Sequence, residues 1–214
     1  MNIGRSMLRN GLILWLFAVV GTGVVAMTFE GTRARIAANE RQALLRSLHQ
    51  VIAPDSHDND IFTDTIEVRD ARLSADLRPV TVYRARKGGQ PVAAVIASIA
   101  PDGYAGPVKL LVGIRTDGTL SGVRVIAHKE TPGLGDAIDL DKSDWVLAFA
   151  GKSLADPGER GWRVKKDGGT FDQFTGATIT PRIVVKAVHN TLLYFQQHRD
   201  ELFAGTPPVE DSHG

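Results

Sequence analysis

Residues 11–29, GLILWLFAVVGTGVVAMTF, form nineteen consecutive positions without a charged side chain. At about 1.5 Å of rise per residue, a helix of that length covers the roughly 30 Å hydrocarbon region of a bilayer. No comparable run occurs elsewhere in the chain. The expected organisation is therefore one transmembrane helix followed by a water-exposed remainder. A cleavable signal peptide is the competing reading, because Arg5 and Arg9 supply a basic leader. Against it, the apolar run is longer than the ~7–15 residues of a signal core, and Met27 and Phe29 stand where a cleavage site needs small side chains. Residues 1–10 are then a cytoplasmic N-terminus and 11–29 an uncleaved anchor. Arg5, Arg9 and the terminal amine precede the span, whereas Glu30, Arg33 and Arg35 follow it. The positive-inside bias thus puts the folded part outside the cytoplasm, in a periplasm if the cell has one.

The chain has 214 residues and no cysteine, which excludes disulfides, thiolate zinc sites and Cys-ligated iron–sulfur clusters within it. If it moves electrons, an organic cofactor must carry them. Its 25 basic against 24 acidic residues give no electrostatic case for nucleic acid. The six histidines show no pair at metal-ligand spacing on one element, so no metal is expected.

Beyond the anchor, Ile36, Ala37, Leu44, Leu45, Leu48 and Ile52 recur at helical spacing, predicting a stalk that continues from the membrane. Residues 53–64, APDSHDNDIFTD, read as a loop, which makes 30–64 a helical stalk and loop. From residue 65 the period shortens. TIEVRDA, PVTVYRAR, PVAAVIASIA, VKLLVGI and LSGVRVIAHK are β-branched runs bounded by Gly, Asp-Gly and Pro signals, with a hairpin turn at Asp117-Gly118. The expectation is an α+β domain over 65–204, a mostly antiparallel sheet that receives helices on one face. A short helix is expected within 141–150, capped by Ser143. The last helix is expected to open with Thr180 as N-cap and Pro181 as its first residue, burying Val184, Val188, Leu192 and Phe195. Residues 205–214 read as a flexible tail.

Three stretches could carry chemistry. FDQFTGATIT, residues 171–180, gathers Asp172, Thr175, Thr178 and Thr180 at the mouth of that last helix. These residues could simply cap the helix. Alternatively, a hydroxyl here carries a phosphate, which the unpaired amides of a first turn stabilise without a basic cluster. Gly176 and Ala177 are small enough to admit a large group beside the backbone. HKETPGLGD, residues 128–136, is either an ordinary strand-ending loop or a rigid turn whose amides face a ligand. DGYAGPV, residues 102–108, is a third Gly- and Pro-rich turn.

Taken in order, the three stretches resemble the flavin-binding subunits of the Rnf electron-transport complex and of the related sodium-pumping NADH:quinone oxidoreductase. FDQFTGATITP brings the chain nearer the Rnf G-subunit branch; the sodium-pump homologues more often have Ser near position 181. The family's pattern Asp-x-x-Ser/Thr-Gly-Ala-Ser/Thr is matched here by Asp172, Thr175, Gly176, Ala177 and Thr178. The resemblance implies an FMN-binding domain in which a dedicated flavin transferase joins FMN through its phosphate to Thr178. The Thr178 hydroxyl would attack the diphosphate of FAD, forming a phosphodiester and releasing AMP. It implies that Asp172 serves recognition by the transferase, that Thr175 hydrogen-bonds the phosphate or the turn, and that Glu130, Thr131 and Leu134 flank the flavin. His128 is a further candidate at the ring, with Lys129 and Trp145 weaker ones. No catalytic residue for a soluble substrate is implied. The expected partners are the other membrane subunits of the complex, and the expected location is a bacterial inner membrane, single-pass, with the soluble domain periplasmic. The alternative from another class is a membrane-anchored ligand-binding or sensing module whose TGAT only caps a helix.

Overall fold

The computed structural model describes residues 3–204, so the tail reading for 205–214 lies outside the described residues. The chain divides into two compact units, with the boundary after Leu44. Helix α1 (Ile3–Val51) is unbroken from the apolar run into the stalk segment; in the first unit residues 7–43 are all exposed, and residues 45–51 belong to the second unit. Glycines 21 and 23 do not interrupt it, since in a bilayer any break would leave backbone groups unpaired. The hydroxyls of Thr28 and Thr32 donate to the carbonyls of Val24 and Thr28, each at 2.8 Å, so neither is left unpaired in this stretch. Among the described residues this is the one helix long and apolar enough to cross a membrane.

The second unit holds the five β-branched runs as five strands: β1 (Thr65–Val68), β2 (Val80–Lys87), β3 (Gln90–Ala100), β4 (Val108–Arg115) and β5 (Leu120–Ala127). They form an antiparallel meander in sequence order, with each strand beside its predecessor. The Asp117-Gly118 turn closes β4 onto β5. Gly118 takes φ +86, and Asp117 Oδ1 accepts the Thr119 N–H at 2.8 Å. Helix α2 (Ile179–Phe203) lays Val184, Val188, Leu192 and Phe195 against Ala94 and Ile96 of β3 and Leu110, Val112 and Ile114 of β4, in one buried cluster. The short helix expected within 141–150 is a 3₁₀ segment, Asp144–Phe149, whose Ser143 Oγ accepts the Trp145 N–H at 3.3 Å.

The sheet receives helix on both faces rather than one. Val95 and Leu111 point away from α2 and are fully buried. The last turn of α1 covers them: a Cβ at Gly113 would lie 2.3 Å from Val51 Cγ1, and one at Gly122 would lie 3.5 Å from Val51 Cα. These two glycines pair across β4 and β5, opening a shallow seat for the helix end. Arg124 caps that end, donating through Nε to Gln50 Oε1 at 3.1 Å and through a terminal nitrogen to the Gln50 carbonyl at 3.2 Å. Covering both faces explains why β3 and β4 read as nearly continuous apolar runs without clean alternation.

A buried ionic cluster closes the opposite end of α2. Asp64, Arg84 and Arg86 are 3%, 3% and 5% exposed. Asp64 accepts from Arg84 Nε at 2.6 Å and from Arg86 Nε at 2.9 Å, with Asn59 Nδ2 adding a bond at 3.2 Å. The two guanidinium groups also reach the terminal carbonyls of the helix, Arg86 to Phe203 at 3.2 Å and Arg84 to Ala204 at 3.4 Å. Cations at a helix C-terminus meet the negative end of its dipole.

Candidate functional site

Helix α2 starts two residues earlier than its sequence predicts. Thr178 is the N-cap, with φ −82° and ψ −20°, and Ile179 is the first helical residue. Pro181 therefore lies in the first turn as its third residue, where a missing N–H still costs nothing. Thr180 is not the cap. It is fully buried, and its hydroxyl donates to Glu130 Oε2 at 2.6 Å instead of accepting an amide of its own helix. A hydrogen bond to a carboxylate is stronger than one between neutral groups. Thr178 makes no side-chain cap hydrogen bond, so its oxygen is not engaged in helix capping.

The segment leading to Thr178 is a tight turn. Ala177 N–H donates to the Phe174 carbonyl at 3.3 Å, and Gly176, the third residue of the turn, takes φ +83. A type II turn requires glycine at that position, and a Cβ there would also come within 3.1 Å of Leu134 Cδ2. The turn is held from behind by Trp145. Its Nε1 donates to the Asp172 carbonyl at 2.8 Å, and its ring meets that of Phe174 edge-on at 5.2 Å. The side chain of Asp172 points away into solvent, 67% exposed, within 2.6 Å of Lys165 Nζ. Arg182, in the first turn of α2, forms a two-pronged pair with Asp167 at 2.6 and 2.8 Å, and this hydrogen bonding holds the Asp167 carboxyl below its ordinary pKa.

The loop that follows β5 folds over the same place. Thr131 O accepts the N–H groups of Leu134 and Gly135, at 3.1 and 3.2 Å, making the PGLG stretch a compact turn. His128 closes its neck: Nε2 is 2.8 Å from Asp139 Oδ2, and Nδ1 accepts the Glu130 N–H at 3.0 Å. With Nδ1 accepting, Nε2 is the nitrogen that donates to Asp139. The Glu130 carboxylate is 5% exposed, with Oε1 accepting the Ala105 N–H at 3.2 Å and Oε2 accepting from Thr180. One carboxylate thus joins the 102–106 turn, the 128–139 loop and the start of α2.

Between these pieces lies a cavity of about 260 Å³, just under the ~300 Å³ lower end of small-molecule sites. Of the residues singled out in the sequence, Glu130, Thr131, Leu134, Gly176, Ala177 and Thr178 line it. His128, Thr175 and Asp172 are not in its lining, and neither are Lys129 and Trp145. Tyr104, Gly135, Ile179 and Thr180 join it. Tyr104 (73% exposed), Leu134 (43%) and Ile179 (44%) make an apolar rim open to solvent. Tyr104 was not singled out as a site residue in the sequence, where it belongs to the Gly- and Pro-rich stretch 102–108 that contributes to the family resemblance.

Comparison with known proteins bears on this cavity directly. An FMN-binding domain family matches residues 103–193, which contain every segment around it, and an RnfG N-terminal region family matches residues 1–51. The G subunit of an ion-translocating oxidoreductase complex from Pseudomonas aeruginosa (strain UCBPP-PA14) is 53% identical over 200 residues, 94% of each chain. The proteins of the same description from Pseudoalteromonas atlantica and Shewanella baltica are 50% and 48% identical, covering 92% of each chain and 98% and 99% respectively. The chain belongs to this G-subunit family. Its α+β unit is an FMN-binding domain and FMN is its cofactor. With one apolar helix long enough to cross the bilayer among its described residues, this family member is a single-pass membrane protein.

Proposed function

We propose that the chain is an electron-carrying subunit of a membrane-bound, ion-translocating oxidoreductase complex, holding FMN as a phosphoester on Thr178. The observation that carries the reading is the placement of Thr178. Its side chain lines the cavity, directly ahead of α2, and makes no capping bond. The residues present fit the cofactor. The amides of Ile179 and Thr180 belong to the first turn of α2, where a helix supplies donors and partial positive charge to a phosphate. Gly135 and Gly176 leave the cavity wall without side-chain bulk, while Tyr104, Leu134 and Ile179 offer apolar surface to a planar ring. The FMN supplies reversible electron transfer, and the protein tunes it through burial and nearby dipoles.

In attachment, Thr178 Oγ1 would bond to the phosphorus of the FMN half of FAD as the diphosphate bond broke and AMP left, with the hydroxyl proton released. The partner supplying that chemistry is a flavin transferase. Asp172, exposed and outside the cavity, suits recognition by that enzyme rather than contact with the flavin. The complex's other membrane subunits are the partners for electron flow, and an anchor raises the effective concentration of a small redox domain beside them.

The test is flavin fluorescence in a denaturing gel, with the full chain produced alongside the transferase. Fluorescence that travels with the band is the expected result. Colour lost on denaturation would favour a noncovalent binding or sensing module.

We further propose that the flavin-binding unit lies on the periplasmic side. Arg5 and Arg9 before the span carry this reading. The natural absence of cysteine makes the check clean. A single cysteine replacing exposed Asp200 should react with a membrane-impermeant maleimide in intact spheroplasts; labelling only after lysis would reverse the orientation.

A further inference from the structure

We infer that Glu130 and Thr180 form a positioning pair that aims the Thr178 hydroxyl, an inference that rests on Thr178 being the attachment point. Only Ile179 separates Thr178 from Thr180 at the opening of α2. Thr180 is 0% exposed, and its hydroxyl donates to Glu130 Oε2 at 2.6 Å. The other carboxylate oxygen takes the Ala105 N–H at 3.2 Å. Rotation or sliding of the first helical turn would break the shorter of these bonds and leave a buried carboxylate oxygen without its donor, a state that low-polarity surroundings penalise heavily. The backbone at Thr178 is therefore locked to the loop that forms the facing wall of the cavity.

The packing around the pair supports a dedicated device rather than a chance contact. A Cβ at Gly135 would lie 2.6 Å from Glu130 Oε2 and 3.1 Å from Thr180 Oγ1, crowding the hydrogen-bonded pair from the side. A Cβ at Gly103 would lie 3.0 Å from Glu130 Oε1 and 2.1 Å from the Gly106 carbonyl. Side chains at Gly135 and Gly103 would thus crowd the two oxygens of Glu130, the first severely. The His128–Asp139 contact at 2.8 Å then fixes the neck of the loop, so that Glu130 itself cannot drift. Neither Glu130 nor Thr180 takes part in the bond made at Thr178. They act through geometry.

The experiment measures the initial rate of FMN transfer from FAD to the full-length chain in detergent, using purified transferase and reading intact mass. Thr180→Val keeps the shape of the side chain but removes the hydroxyl, and Thr180→Ser keeps the hydroxyl. Thr180→Val should lower the maximal transfer rate about ten- to a hundredfold, as a misplacement near 1 Å does, with little change in the carrier concentration giving half-maximal rate. Thr180→Ser should restore it. Glu130→Gln, nearly isosteric, approaches the same link from the other side and should also slow transfer, which keeps the test decisive if the valine variant does not fold. Wild-type transfer rates in Glu130→Gln and in any folded Thr180→Val would overturn the pair, as would a serine variant as slow as the valine one. No flavin on the wild type itself would instead remove the attachment reading, and this inference with it.

Discussion

Thr178→Ala abolishes covalent flavin while the domain stays folded: this is the expected result with the largest effect on function. Without its hydroxyl there is no oxygen at position 178 to bond the phosphorus, and the neighbouring threonines cannot replace it. Thr180 is buried with its hydroxyl committed to Glu130, and Thr175 lies on the exposed side of the 174–177 turn, outside the cavity lining. Stability should hardly change. Replacing a helix cap that makes its hydrogen bond costs about 0.5–2 kcal/mol, and Thr178 makes none. Intact mass should show the unmodified polypeptide with a circular dichroism melting curve close to wild type, and Thr178→Ser should regain the adduct. A Thr178→Ala chain that still carries FMN would move the attachment elsewhere.

The second large effect concerns stability and lies far from the flavin. Asp64→Ala should destabilise the folded unit by about 3–5 kcal/mol, the range for removing one partner of a buried ion pair. Here one carboxylate serves two buried guanidinium groups, so the variant takes from both the acceptor that they share. Against a typical domain stability of about 5–15 kcal/mol, this is a large share. The loss should appear as a lower urea midpoint. Because Arg84 and Arg86 also hold the carbonyls of Phe203 and Ala204, amide exchange should accelerate first at the C-terminal turn of α2. Replacing Asp64, Arg84 and Arg86 together by apolar residues should recover much of the loss, since the cost comes from the uncompensated charge. A midpoint unchanged in Asp64→Ala would mean that the two arginines are already hydrated.

The five strands, the Asp117-Gly118 turn and the buried face of α2 could be read directly, because each rests on a local signal: side-chain period, a residue able to take positive φ, or apolar spacing. The start of α2 could not. Thr180 followed by Pro181 is a sound local opening, yet the helix starts at Ile179, and the Thr180 hydroxyl bonds a carboxylate fifty residues away. Asp64 was hidden for a related reason. In APDSHDNDIFTD it is one of several acidic residues in a polar loop, and only the closure of β2 against the end of α2 buries it between two arginines. His128 was a candidate flavin contact from its place beside the loop motif; its two ring nitrogens bond Asp139 and Glu130, which no local pattern announces.

What the sequence alone determined is the inventory: an apolar helix, an antiparallel α+β unit, no cysteine, and an Asp-x-x-Thr-Gly-Ala-Thr segment placed before the last helix. These follow from residue types and spacing, which act over a few residues and survive in any fold of the chain. Which groups face the cavity and which are consumed in building it was decided only by the tertiary structure. Glu130, Thr180 and Ala105 meet across long loops, and a hydrogen bond depends on distances of a few tenths of an ångström that no local pattern encodes.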